Sequence, residues 1–240
     1  MTSQRPLAGQ VALITGASRG IGLAIAHRLA ALGGDLSLCA RDGERLDAAA
    51  RELPAKYGVR AIWGTCDVTQ PGQPEAWVRR TIESLGHMAI LVNNAGIGVF
   101  GPAHLASEAD WDRQFDTNLK AAWQMSRAAA PHMIERRSGH IINISSLAGK
   151  NTFAGGGIYC ATKWALQGLS GCMAEDLRGY GVRVSTVCPG SVNTEFTAHA
   201  GKAPENMLQA EDVAHVVAML VTQSAQSFAS EVHLRPTQKA

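Results

Sequence analysis

The sequence predicts an α/β fold: a doubly wound, mostly parallel sheet of about seven strands with helices on both faces. Two observations carry that expectation. Short apolar, β-branched runs alternate with helically spaced apolar residues along the chain, the pattern of parallel strands joined by crossover helices. The length of 240 residues allows a generous core yet suits one domain, and no repeat, linker or low-complexity stretch divides residues 1–240.

The first strand is Val11–Thr15, where Val11, Leu13 and Ile14 suit burial on both faces. At Thr15 the composition changes to Gly16, Ala17, Ser18, Arg19 and Gly20. Then Ile21, Ile25, Leu29 and Leu32 recur at helical spacing up to Gly33–Gly34, a pair suited to a helix C-terminus. The second strand is Leu36–Ala40, followed by a helix from Asp42, an N-cap residue type, to Leu53 before Pro54. Val59–Thr65 is the third strand. A helix starting near Pro74 carries Ala76, Ile82 and Leu85 and leads to the fourth strand, Ala89–Val92. Ser107, with Asp110 three residues on, is a variant capping box that opens a helix through Trp111, Phe115 and Leu119. His140–Ile144 and Val182–Cys188 are the fifth and sixth strands, on either side of a long helix around Tyr159–Leu177. Glu211–Val221 reads as the last helix and Glu231–Leu234 as a weaker seventh strand.

Composition excludes several classes. A formal charge of +2 with no basic run does not suit a nucleic-acid binder. No stretch approaches the ~20 apolar residues of a membrane span, and the N-terminal MTSQRPLAGQ has no apolar h-region. The cysteines, at 39, 66, 160, 172 and 188, are odd in number and form no C-x-x-C pair, which suits a reducing cytoplasm. The eight histidines include no H-x-x-x-H pair, so no metal site is expected. There is no G-x-S-x-G elbow and no G-x-x-x-x-G-K-[ST] loop.

Strand, glycine turn and helix in succession place free backbone N–H groups and the positive end of a helix dipole at one point, where a pyrophosphate binds. Gly16, Gly20 and Gly22 let the backbone approach phosphate and the helix approach its strand, with Ser18, Arg19 and Ile21 in the same turn. Ligands of such a sheet lie beyond the carboxyl ends of its strands. At the end of the second strand an acid would accept a hydrogen bond from a ribose 2′-hydroxyl. Ala40 stands there, followed by Arg41. Arg41 and Arg19 would instead hold a 2′-phosphate; the alternative is a solvated Arg41 with Asp42 serving the ribose. The third strand ends Cys66–Asp67–Val68. The fourth ends Asn93–Asn94–Ala95–Gly96, residue types that also suit a turn on conformational grounds alone. Tyr159 and Lys163 are four apart, so on a helix they share one face at roughly 6 Å, and an ammonium there would favour the tyrosinate.

Read together, T-G-x-x-x-G-x-G at Thr15–Gly22, N-N-A-G at Asn93–Gly96, Tyr159-x-x-x-Lys163, Ser146 thirteen residues before the tyrosine, and P-G-x-x-x-T at Pro189–Thr194 resemble the short-chain dehydrogenase/reductase family. They stand in the family's order from residue 15 to about 194. The resemblance implies a Rossmann-like fold and NADP(H) as cofactor. Tyr159 is then the general acid for carbonyl reduction and the base for alcohol oxidation, and Ser146 polarises the carbonyl oxygen. Lys163 holds the nicotinamide ribose and tunes Tyr159, while Asn118 positions a water that links Lys163 to solvent. Ser145 is disfavoured because strand alternation sends it to the other face. The resemblance further places Asp67 and Val68 at the adenine, Asn94, Ala95 and Gly96 along the cofactor, and Pro189, Gly190, Val192 and Thr194 over the nicotinamide.

The expected activity is hydride transfer between nicotinamide and a small-molecule ketone or 3-oxoacyl compound and its alcohol. Two alternatives stay open: an NAD-dependent alcohol dehydrogenase of the same family, and a non-catalytic nucleotide-sensing regulator on the same fold. The segment from Ser191 to Gln209, in the family's substrate-lid position, is fairly polar, with Phe196, Met207 and Leu208 its large apolar residues. That disfavours a deep steroid pocket. Ser230–Pro236 departs from the ending usual in 3-oxoacyl-(carrier protein) reductases, which puts that assignment in doubt. Members of that family commonly pair through the fourth and fifth helices, forming a four-helix bundle between subunits. Here Trp111, Trp123, Met125, Trp164, Leu166, Leu169 and Met173 exceed what one core-facing stripe requires, so a homodimer or homotetramer is expected.

Overall fold

A computed structural model describes residues 5–196 and 204–238. The first strand, β1 (Val11–Thr15), is buried at every residue and leads through the glycine turn into α1 (Gly20–Ala31). After β2 (Asp35–Ala40), the Asp42 side chain caps α2 (Gly43–Ala50) by accepting the Arg45 N–H at 2.9 Å. The single helix expected over 42–53 is in fact two. Pro54 lies in the first turn of a separate short helix, α3 (Leu53–Tyr57), which ends at Gly58 with φ 62°. A proline lacks only the N–H that a first helical turn leaves unbonded, so here it opens a helix where the sequence suggested a stop. The third strand, β3 (Ala61–Thr65), accordingly starts two residues late.

α4 (Gln73–Leu85) and β4 (Ile90–Asn93) follow. α5 (Glu108–Phe115) is capped as expected, with Ser107 Oγ accepting the Asp110 N–H at 3.1 Å. The helix does not run straight on. A π-helical turn, Asp116–Lys120, intervenes before α6 (Ala121–Glu135). Such a one-residue excess rotates the side chains after it, and π turns concentrate at functional sites. The chain closes with β5 (Gly139–Ile144), α7 (Gly157–Arg178), β6 (Val182–Pro189), α8 (Ala210–Val221) and β7 (Glu231–Leu234).

The seven strands form one parallel sheet in the order β3-β2-β1-β4-β5-β6-β7. One core lies between the sheet and α1, α2 and α8, with Ile14, Leu29, Leu36 and Val217 fully buried. The other face is covered by α4, α6 and α7, around Leu13, Leu91, Met125 and Ile141. The strand order turns back between β1 and β4, which opens a crevice beyond their carboxyl ends.

Candidate active site

The crevice is floored by residues that tie the glycine turn to the end of β4. Thr15 Oγ1 accepts the backbone N–H groups of Asn94 and Ala95, each at 3.0 Å. Asn94 returns the tie, its Nδ2 donating to the carbonyls of Thr15 and Gly16 at 2.9 and 3.1 Å. Gly22 seals the joint. A Cβ there would stand 2.4 Å from the Gly16 oxygen and 2.5 Å from Asn94 Nδ2, so α1 reaches this close to β1 only with glycine. Among the described residues no side chain caps α1, whose N-terminus lies at the cleft beside Ser18, Arg19 and Gly20. Uncapped amides, a positive helix end and glycines at φ 64° (Gly16) and 53° (Gly20) fit a pyrophosphate.

The cleft extends from this floor in both directions, with a volume of about 1590 Å³. Every residue expected at the cofactor or catalytic site lines it except Gly22 and Asn118, which lie behind the wall. At one end, past Asp67, Val68 and Ala40, Arg41 is exposed and makes no ion pair among the described residues. Arg19 does not stand free beside it. Its Nη1 lies 2.5 Å from Glu195 Oε2, and the same carboxylate also binds both terminal nitrogens of Arg45. The two guanidinium groups, Arg45 first, hold the Glu195 carboxyl below its usual range. Asp42, the alternative ribose acceptor, has one oxygen committed to its cap. Asp67 Oδ1 accepts from the N–H and hydroxyl of Thr69.

At the other end, α7 carries Tyr159 and Lys163. Lys163 Nζ donates to the Ile144 carbonyl at 3.0 Å and lies 5.8 Å from the centre of the Tyr159 ring. The expectation that this ammonium lowers the phenol is corrected by the structure. Burial pushes Tyr159 up to about 12, and what works against it is a hydrogen bond with the Ser146 hydroxyl, not Lys163. Burial likewise lowers Lys163 to about 8. The low-polarity surroundings penalise both charged forms more than the pair stabilises them. Ser146 Oγ also accepts the Ala148 N–H at 3.0 Å. The neighbouring Ser145 hydroxyl points into α7, donating to Lys163 O at 3.4 Å and accepting from Gln167 Nε2 at 3.0 Å.

Asn118 lies in the π turn, and its side chain makes three hydrogen bonds. Its Oδ1 accepts the Ile97 N–H at 2.8 Å, while Nδ2 donates to the Ile97 carbonyl at 2.9 Å and to Thr162 Oγ1 at 3.2 Å. The side chain therefore clamps the loop after β4 onto α7. Beyond β6, Val192 bridges Leu208, and Asn193 N–H donates to the Leu208 carbonyl. Phe196 is partly exposed, while Met207 and Leu208 are buried. Residues 197–203 of the expected lid lie outside the described residues.

The sequence profile described as short chain dehydrogenase matches residues 10–205. The chain belongs to the short-chain dehydrogenase/reductase family. The NADP-dependent 3-hydroxy acid dehydrogenase YdfG of Salmonella typhi is 37% identical over 238 residues, covering 94% of each chain. A metagenomic short-chain oxidoreductase solved with NADP is 46% identical, with a TM-score of 0.86, over 98% of this chain and 100% of that one. A short-chain dehydrogenase from Burkholderia cenocepacia J2315, also with NADP, is 33% identical with a TM-score of 0.89 and covers 96% and 98%.

Several cleft residues of this short-chain dehydrogenase/reductase are not legible as site residues in its sequence. Arg45 lies in the first turn of α2, four residues after Arg41, which precedes the helix cap. Phe100 and Phe153 lie in irregular loops with no periodicity to mark them. Outside the cleft lining, Cys188, Glu231 and His233 gather donor atoms within 4.8 Å on neighbouring β6 and β7, a grouping that no short-range sequence pattern announces. There Lys150 Nζ already lies 2.8 Å from Glu231 Oε2 and supplies the positive charge. No helix among the described residues is long and apolar enough to cross a membrane.

Proposed function

We propose that this is a single-domain, NADP(H)-preferring oxidoreductase that interconverts a carbonyl compound and its secondary alcohol. Tyr159 is the acid in reduction and the base in oxidation. The observation that carries this reading is one cleft with two chemically distinct ends. Tyr159, Ser146 and Lys163 converge at one. At the other, β2 ends in Ala40 rather than an acid, and three guanidinium groups gather from Arg19, Arg41 and Arg45.

The glycine turn and Arg19, Arg41 and Arg45 would hold the phosphates of the cofactor, with Asp67 and Val68 beside its adenine. Asn94, Ala95, Gly96, Pro189, Gly190, Val192 and Thr194 would line its nicotinamide half. When bound, the nicotinamide supplies or accepts hydride. Burial keeps the Tyr159 phenol protonated at neutral pH, the form needed to donate a proton to a developing alkoxide. The Ser146 hydroxyl, which works against the rise of the phenol and lines the same end of the cleft, would donate to the same oxygen. Lys163 anchors this end of α7 to β5 and offers its remaining N–H donors to ribose hydroxyls. Asn118 acts as a positioning residue for the loop carrying Gly96.

The NADP complexes of two similar structures and the NADP-dependent relative support the choice of cofactor. A 3-oxoacyl or 3-hydroxy acid substrate enters from the relative's name alone. Free cysteines throughout the described chain support a cytoplasmic setting. Assembly through α6 and α7 is supported by the exposed Trp123 and Trp164, and by a groove of about 370 Å³ lined by Phe115, Leu119, Trp123 and Leu169. Of the apolar residues on these helices, Met125 and Leu166 belong to the core-facing stripe. The test is consumption of NADPH, followed by its absorbance, with a generic diketone or quinone. Tight NADPH binding without turnover of any carbonyl compound would leave a nucleotide-binding protein and refute the enzyme.

A further inference from the structure

Three phenylalanines on separate segments stand around the hydroxyl-bearing end of the cleft, and all are substantially exposed: Phe100 at 46%, Phe153 at 51% and Phe196 at 39%. Phe100 meets the Tyr159 ring edge-on at 5.3 Å between centroids. Phe196 lies at 6.1 Å on another side of the tyrosine, and Phe153 at 6.2 Å from Phe100. Large apolar side chains so exposed and so close together mark a binding surface rather than a core.

The wall is held in place by buried amide side chains and one backbone bond. Fully buried Gln114 accepts the Val99 N–H at 3.0 Å and donates to the Val99 carbonyl at 3.1 Å, which fixes the residue before Phe100. Asn118 holds Ile97 in the same way. The Gly101 N–H donates to the Gly155 carbonyl at 2.8 Å, tying the Phe100 loop to the loop of Phe153. Binding to a surface already ordered does not lose affinity to ordering it.

Charge is distributed to match. Among the described residues of the cleft, Arg19, Arg41, Arg45, Asp42, Asp67 and Glu195 have their charged groups at the far end. Among the described residues lining the cleft, Lys163 is the one cation near Tyr159, and it is buried against the Ile144 carbonyl. A carboxylate seated among the phenylalanines would be desolvated with no cation of the described lining to meet it except the engaged Lys163, whereas an aromatic ring would stack there edge-on or offset.

We infer that the physiological substrate class is an uncharged ketone bearing an aromatic ring close to the carbonyl, not a free oxo acid; the inference rests on the reductase reading above. In the reaction, the carbonyl carbon receives a hydride, with its electron pair, from reduced nicotinamide, which is thereby oxidised. The C=O π bond opens, the oxygen takes the Tyr159 proton, and solvent reprotonates the phenolate. The product is the secondary alcohol.

The test uses the full chain with saturating NADPH and four matched substrates: ethyl benzoylformate, benzoylformate, ethyl pyruvate and pyruvate. kcat/KM should be at least roughly tenfold higher for the aryl ester than for the alkyl ester, from ring contacts alone. Each ester should exceed its carboxylate by roughly a hundredfold, the cost of an unpaired buried charge. Phe153→Ala and, separately, Phe100→Leu should bring the aryl-to-alkyl ratio towards one while NADPH affinity, read by cofactor fluorescence, stays constant. Two variants on different loops guard against one that misfolds. Turnover favouring the carboxylates, or equal for aryl and alkyl esters, overturns the substrate assignment and leaves the reductase standing. Bound NADPH with none of the four substrates turned over overturns both.

Discussion

The position of Tyr159 makes a quantitative prediction about pH. Burial raises its phenol to about 12, compared with 10 in water, a cost of about 3 kcal/mol to the phenolate. At pH 8 a group titrating at 12 is ionised in about one molecule in ten thousand. Reduction needs the protonated phenol, which is present throughout, so its rate should be flat from mildly acid pH to about 8. It should fall above that as Lys163 loses its ammonium. Oxidation needs the phenolate and should rise about tenfold per pH unit from neutrality to pH 8. The positive charge of an oxidised nicotinamide would move that limb to lower pH without changing its slope. Tyr159→Phe keeps the ring and removes the transferable proton. It should lower kcat by about 10²–10⁴-fold in both directions, abolish the oxidation slope and barely change cofactor affinity. The assay is initial rate against pH in both directions with saturating cofactor. A Phe variant that kept more than about a tenth of the activity, or an oxidation rate flat with pH, would refute the assignment of Tyr159.

Three further outcomes are expected. Arg41→Ala should weaken NADPH binding roughly tenfold, NADH much less, and Ala40→Asp should reverse the preference by repelling the 2′-phosphate. Because the arginines are exposed, rising salt should narrow the preference. Tighter binding of NADH than NADPH by the unaltered protein, in fluorescence titrations, would sink the cofactor assignment. Gly22→Ala pushes a Cβ to 2.4 Å from the Gly16 oxygen, and should lower Tm by at least about 4 °C in a thermal melt, with loss of cofactor binding. Light scattering at micromolar concentration should find a dimer or tetramer; a particle of the chain mass, 25.4 kDa, would rule out pairing through Trp123 and Trp164.

The sequence by itself determined what depends on neighbours along the chain. Alternating strand and helix patterns place all seven strands of a parallel sheet, because buried strands and amphipathic helices each need their own apolar spacing. The glycine turn, the caps at Asp42 and Ser107, and the Tyr159–Lys163 pair are local for the same reason. Two local signals misled. Pro54 stops or starts a helix according to which residues can pack around it, and nothing in Asp116–Lys120 announces a π turn.

Tertiary structure decided whatever joins distant segments. Glu195 meets Arg45 across 150 positions of sequence. The loops of Phe100 and Phe153 are brought against Tyr159 by Gln114 and a backbone bond at Gly101. The protonation of the site was also decided there. Spacing alone puts an ammonium near a phenol and suggests a lowered pKa. The enclosure formed when α7, β5 and β6 close around Tyr159 and Lys163 raises one and lowers the other. Desolvation depends on everything packed around a group, and a one-dimensional pattern carries no record of that volume.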